Sequence, residues 1–221
     1  GKPFPAEKFV NKIPVKKHDH VLIPAGTVHC SGADTMVLEI SATPYIFTFK
    51  LWDWGRVDLD GKPRPIHLEH GAANIQWYRN TEWVHKNLIN AVAEVYSDEN
   101  GTVVRTGLHE REFLDTFRFT TSSALPVHRN GSVHMLNLVD GTRAVLRSKS
   151  DAFPPLELHY AETCIVPQAA GDYEIYSPDG SEVKVILACA GMHCGTSGVE
   201  SPTFYQSQKS VAFPRKPQIK Y

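Results

Sequence analysis

Asp19-His20-Val21-Leu22-Ile23-Pro24-Ala25-Gly26-Thr27-Val28-His29 reads as a strand that enters a turn and ends on a histidine. Val21, Leu22 and Ile23 favour an extended, half-buried backbone. Pro24 restricts its own φ, and Gly26 accepts the positive φ that a tight turn demands, so the backbone is fixed just before His29. Such a turn can aim an imidazole into the mouth of a barrel, where a neutral histidine nitrogen is a common zinc donor. The bland alternative is a structural histidine held by a hydrogen bond after a turn.

Working outward from that stretch, short β-like runs dominate. They cover 20–23, 35–41, 45–52, 91–96, 102–106, 113–120, 133–138, 144–146, 157–160, 173–176 and 182–187, all rich in Val, Ile, Thr and aromatics. Asp60-Gly61, Asn100-Gly101, Asn130-Gly131, Asp140-Gly141 and Asp179-Gly180 fall between or beside these runs, which implies several antiparallel hairpins. The pattern predicts a sandwich or jelly roll. One interruption breaks it. Leu68, Ala72 and Ile75 are spaced helically, so a short helix is expected from Leu68 to Trp77. The fold class is therefore mainly β, in jelly-roll segments joined by a short helical connector. The expected divisions are a β segment over 1–66, the connector over 67–88, a second β domain over 89–190, and a basic, irregular tail over 191–221.

Composition narrows the function classes. At 42% hydrophobic and 21% charged residues the 221-residue chain is globular, with no apolar run of membrane-spanning length. A formal net charge of -1 provides no field for nucleic acid or anionic lipid, so neither nucleic acid nor a membrane is expected as a partner. Cys30, Cys164, Cys189 and Cys194 form no C-x-x-C pair and no dense framework, and they read as free thiols in a reducing, cytoplasmic setting. The chain opens on Gly1-Lys2-Pro3 with neither a starting Met nor the regions of a signal peptide, and it reads as a fragment. Oligomeric state is not legible.

The acidic residue, apolar strand and Pro-x-Gly-x-x-His of 19–29 resemble the second sequence element of the cupin superfamily. The stretch from Phe9 to Ile75 further resembles the class I mannose-6-phosphate isomerases, in its C-terminal part. The likeness lies in Phe9-Val10-Asn11-Lys12-Ile13-Pro14-Val15-Lys16-Lys17, Ile23 to His29, Val37-Leu38-Glu39-Ile40, Trp52-Asp53-Trp54-Gly55-Arg56-Val57-Asp58 and Gly61-Lys62-Pro63-Arg64-Pro65-Ile66-His67-Leu68-Glu69. It implies a metal-bearing cupin barrel that ends in 1–66, and a second, metal-free cupin-like domain over 89–190. It also implies an aldose-ketose isomerase that interconverts mannose 6-phosphate and fructose 6-phosphate, with zinc as cofactor and a phosphorylated hexose as substrate.

In that family zinc takes a Gln and a His from one Q-x-H strand, a Glu further on, and the His after Pro-x-Gly-Thr-x. Here the resemblance supplies only His29, so the other ligands are expected upstream of Gly1. His18-Asp19-His20 has H-x-H spacing but lacks the following Glu, and both imidazoles read as solvated strand-edge residues. Glu39 is a candidate proton shuttle between adjacent sugar carbons if it faces the metal, and an exposed carboxylate otherwise. Lys50 stands where the family carries an Arg that stabilises the enediolate or contacts substrate; Lys keeps the charge without the bidentate fork. The alternative for Lys50 is a solvated, outward lysine. Arg56, Lys62 and Arg64 read as solvated near the Asp60-Gly61 turn, and His67-Leu68-Glu69-His70 as connector rather than metal site. The second functional reading is a non-catalytic cupin-like sugar-binding or regulatory module, or an inactive isomerase fragment.

Overall fold

Alternation of buried and part-exposed side chains marks several strands in the second half of the chain. Along Leu114–Thr121, every second residue is buried, among them Phe117 and Phe119, because successive side chains of a strand point to opposite faces. A computed structural model describes residues 4–41, 48–106, 114–128 and 131–190. The tail 191–221, the first residues of the 45–52 run, Asn130, His109, His193 and Cys194 lie outside the described residues.

The described β region runs β1 (Ala93–Asp98), β2 (Gly101–Arg105), β3 (Leu114–Thr121), β4 (Ala124–Val127), β5 (His134–Asp140), β6 (Arg143–Ser148), β7 (Leu156–His159), β8 (Thr163–Val166), β9 (Tyr173–Tyr176) and β10 (Val183–Ala190). All pair antiparallel, in one sheet of order β1-β2-β3-β10-β5-β8 and a second of order β4-β9-β6-β7. With the β1-β2 hairpin set aside, four strands remain on each side, and the chain changes sheet at every step from β3 to β10 except between β6 and β7. That interleaving is a jelly roll. The protein is mainly β, as the sequence pattern implies.

The inner faces of both sheets meet in a single core of Phe119, Leu125, Leu136, Leu138, Leu146, Ile175, Val185 and Leu187 with their neighbours. His134 is fully buried within it, its Nδ1 2.9 Å from the Tyr173 hydroxyl, as a buried polar ring requires. At the end of the sheet, Arg105 Nε donates to buried Asp115 at 2.7 Å.

Five expectations need correction. The runs 20–23 and 35–41 are not regular strands: Val21 makes an isolated bridge with Ile89, and the 35–41 segment carries no strand pairing among the described residues. Second, the connector is two helices, α1 (Leu68–Asn74) and α2 (Thr81–Asn87), because Ile75 turns extended and Asn80 begins a new helix by accepting from Trp83 N at 3.0 Å. Third, β4 is unforeseen. Fourth, among the described turn pairs Asn100-Gly101 closes a hairpin between adjacent strands of one sheet and Asp60-Gly61 a turn with a single antiparallel bridge, Val57 to Pro63, whereas Asp140-Gly141 and Asp179-Gly180 carry the chain between sheets. Last, Cys189 is disulfide-bonded rather than free, while Cys30 and Cys164 are free.

Candidate functional site

The turn before His29 is built on Gly26. Its φ is +84°, and Thr27 N donates to Pro24 O at 3.2 Å, as in a turn whose third residue needs a positive φ. Glycine is also required by space, since a Cβ there would stand 2.5 Å from Asn74 O and 2.9 Å from Gln76 Cγ. The turn thus lies against the end of α1, and Gln76 N donates to Gly26 O at 2.9 Å.

Arg79, between α1 and α2, binds the other side. Its Nη1 lies 2.9 Å from Pro24 O, 2.8 Å from Ala25 O and 2.5 Å from Thr27 Oγ1. The guanidinium is stacked near two rings, with its carbon 5.6 Å from the Tyr78 centroid and 5.2 Å from that of Trp83. The Thr27 hydroxyl donates to Pro24 O at 2.7 Å and accepts from Arg79, which uses both its roles.

His29 is exposed, with Nδ1 2.8 Å from Thr27 O. A carbonyl oxygen only accepts, so Nδ1 bears a proton, and in the neutral ring the lone pair is then on Nε2. This is the tautomer of an imidazole that donates to a metal through Nε2. His29 thus fits one position of a metal site. It fits no more than one, because among the described residues no group of three or more His, Cys, Asp or Glu is placed to hold a metal.

The other candidates lie apart. Glu39 is exposed in an irregular segment beside the exposed Val37 and Leu38. Lys50 is half-exposed, its Nζ 3.8 Å from Asp53 Oδ2. No hydrogen bond or ion pair joins His29, Glu39 and Lys50 among the described residues. The backbone at Lys50 is tied to the connector instead: Lys50 N donates to His67 Nδ1 at 3.2 Å and His67 N to Lys50 O at 2.7 Å. His70 stacks on Phe49, and the His67 ring meets it tilted by 60°.

Three solvated readings are corrected by burial and pairing. Arg64 forks onto Asp53, with Nε 2.5 Å from Oδ2 and Nη2 2.7 Å from Oδ1, and it holds the Asp53 carboxyl below the usual carboxylate range. His18 is mostly buried and bonds Asp140. His20 is pushed below the ordinary imidazole range by burial, then by the nearby Arg118 charge. Arg79 was not foreseen at all, since an arginine flanked by Tyr78 and a later Trp83 has no motif that announces a carbonyl clamp.

No protein-family model matches this chain. Mannose-6-phosphate isomerase of Streptococcus mutans serotype c is 35% identical over 63 residues, 28% of this chain and 20% of that protein. Mannose-6-phosphate isomerase ManA of Bacillus subtilis is 22% identical over 135 residues, 61% of this chain and 40% of the relative. The chain therefore spans less than half the length of either. A crystal structure of the mannose 6-phosphate isomerase from Bacillus subtilis overlaps 63% of this chain and 39% of its own, at 13% identity and a TM-score of 0.49, too distant a likeness for inference about residues.

Proposed function

We propose that this chain, a homologue of mannose-6-phosphate isomerases, supplies one metal-donor turn and a jelly-roll domain to an aldose-ketose isomerase acting on a phosphorylated hexose. The observation that carries the reading is His29: a turn built on Gly26 delivers an exposed imidazole whose Nε2 lone pair is set by the Nδ1 bond to Thr27 O. Zinc is the proposed cofactor, His29 one of its ligands, and the remaining donors lie outside the described residues. When bound, zinc would polarise the substrate oxygens.

The chain's own groups would do the rest. An exposed Glu39 is available to move a proton between C1 and C2. Lys50 would offset negative charge on the substrate, but it is shared with Asp53, which already holds Arg64. Mannose 6-phosphate and fructose 6-phosphate are the proposed pair. No helix among the described residues is long and apolar enough to cross a membrane. The proposed cytoplasmic setting rests on Cys30 and Cys164 alone, since Cys189 is disulfide-bonded.

A second reading, a non-catalytic sugar-binding or regulatory module, is favoured because no group of three or more His, Cys, Asp or Glu among the described residues is placed to hold a metal. Metal analysis and a mannose 6-phosphate isomerisation assay on the purified protein separate the two. Bound zinc, with isomerisation lost in His29→Ala, supports the enzyme. Turnover that survives His29→Ala, or zinc that stays bound without His29, rejects it.

A further inference from the structure

We infer that Arg79 is the positioning residue of His29, acting through Thr27 from 52 residues away in sequence. Its guanidinium is the only group among the described hydrogen bonds that touches three points of the turn: Pro24 O, Ala25 O and Thr27 Oγ1. All three contacts are made by one nitrogen, Nη1, whose two N–H bonds are shared among the three acceptors. Tyr78 and Trp83 fix the plane of that guanidinium, and they meet each other edge-on at 5.6 Å. Asn80 holds Trp83 in turn by capping α2.

The path from Arg79 to the imidazole is short. Arg79 fixes the Thr27 side chain, whose hydroxyl closes back onto Pro24 O. The same residue's carbonyl accepts from His29 Nδ1, which selects the tautomer and the ring direction. Freed from Arg79, the Ala25 carbonyl turns to water, Pro24 O keeps only its bonds from Thr27, the Thr27 hydroxyl loses one anchor, and the Thr27 carbonyl no longer stands where Nδ1 finds it. The consequence is a specific change at one imidazole, not a general loss of stability, because Gln76 N to Gly26 O still docks the turn.

The inference deepens the reading of His29 as a metal donor, but the hydrogen-bond path can be tested without any metal. Nitrogen-15 histidine NMR on the whole 221-residue chain reads the His29 tautomer directly, with buried His134 bonded to Tyr173 as an internal standard of the fold. The wild type is expected to show Nδ1–H at His29. Arg79→Met keeps an unbranched stem and removes the donors, while Thr27→Val leaves Arg79 and its rings in place. Each is expected to lower the Nδ1–H population several-fold with the His134 signals unmoved.

An unchanged His29 tautomer in Thr27→Val and Arg79→Met, with His134 native, overturns the positioning role. Should Arg79→Met disturb His134 as well, Thr27→Val decides alone. A tautomer that shifts as expected in the variants, beside zinc binding and isomerisation that survive His29→Ala, leaves the positioning role standing and rejects the metal-donor reading instead.

Discussion

His18 Nε2 lies 2.8 Å from Asp140 Oδ2, so the irregular N-terminal segment is bonded to the last residue of β5 across 122 positions of sequence. Lys17 reaches the other oxygen of the same carboxylate, and Lys184 of β10 reaches Oδ2 at 3.1 Å. Arg118 Nη1 of β3 adds a bond to His18 O at 2.9 Å. One carboxylate of β5 therefore gathers groups from two other segments, 17–18 and β10, and they depress its ionisation well below the usual carboxylate range.

Asp140→Asn removes that charge. A carboxyl depressed in the folded state contributes stability that is present above its unfolded value of about 3.9 and is lost as pH falls through the folded value. The variant is expected to be less stable at pH 7 by about 1 to 2 kcal/mol, a modest figure because Lys17 is largely exposed and its share is screened. Denaturant titration across the acid range checks it: the gap from wild type should close as pH drops, and a gap that is constant with pH would contradict the electrostatic origin.

How much of this was legible in the sequence depends on which neighbours a residue needs. β3, β5, β9 and β10 each bury their own apolar face in a core of the same domain, so period-two alternation sufficed to find them. β4 escaped because Pro126 sits in it, and proline speaks against a strand; β4 is an edge strand, where the missing N–H costs nothing. The 35–41 run alternates too, yet a strand is made by a ladder of hydrogen bonds to a neighbour, and no such ladder pairs it among the described residues. Met36 is accordingly 80% exposed. At the site, the Pro24-to-His29 turn could be read locally, whereas Arg79 could not, since its targets lie more than 50 positions away.

Leu187 sits in the middle of β10, which pairs with β3 on one side and β5 on the other, and its side chain is fully buried. Leu187→Ala removes buried methyl groups and leaves a cavity between the sheets. The expected loss is about 2 to 5 kcal/mol in urea unfolding. Ile165, 65% exposed on β8, provides the control: Ile165→Ala should change stability by no more than about 0.5 kcal/mol.

Gly26 and Gly61 both take a positive φ, +84° and +75°, but they differ in what surrounds them. A Cβ at Gly61 meets nothing within 4 Å, so Gly61→Ala carries only the backbone cost of about 1 to 2 kcal/mol. A Cβ at Gly26 collides with backbone oxygen of Asn74, which cannot rotate away. Gly26→Ala is therefore expected to lose more stability than Gly61→Ala by thermal unfolding and, unlike it, to shift the His29 NMR signals. Equal losses with His29 unmoved would mean that the turn does not depend on its contact with α1.

Asp53 offers the clearest test of whether Lys50 is available to a substrate. Arg64 lowers the Asp53 carboxyl chiefly by its hydrogen bonds; burial opposes this, while the charges of Arg64, Lys50 and Arg56 assist. In Arg64→Gln the burial remains and the fork is gone, so the folded ionisation of Asp53 rises. Because the depressed carboxyl stabilises the fold only above its unfolded value, the difference between wild type and variant should be largest at neutral pH. It should vanish once acid has protonated Asp53 in both. The carboxylate left behind has Lys50 Nζ at 3.8 Å as its nearest remaining ion-pair partner among the described residues, and it is expected to draw that ammonium in. Methyl and ammonium NMR of Lys50 should then report a more rigid side chain in Arg64→Gln, and isomerisation of mannose 6-phosphate, if Lys50 serves the substrate, should fall with it. Activity that holds while Lys50 becomes rigid would remove Lys50 from the proposed chemistry and leave it as part of the Asp53 ion pair alone.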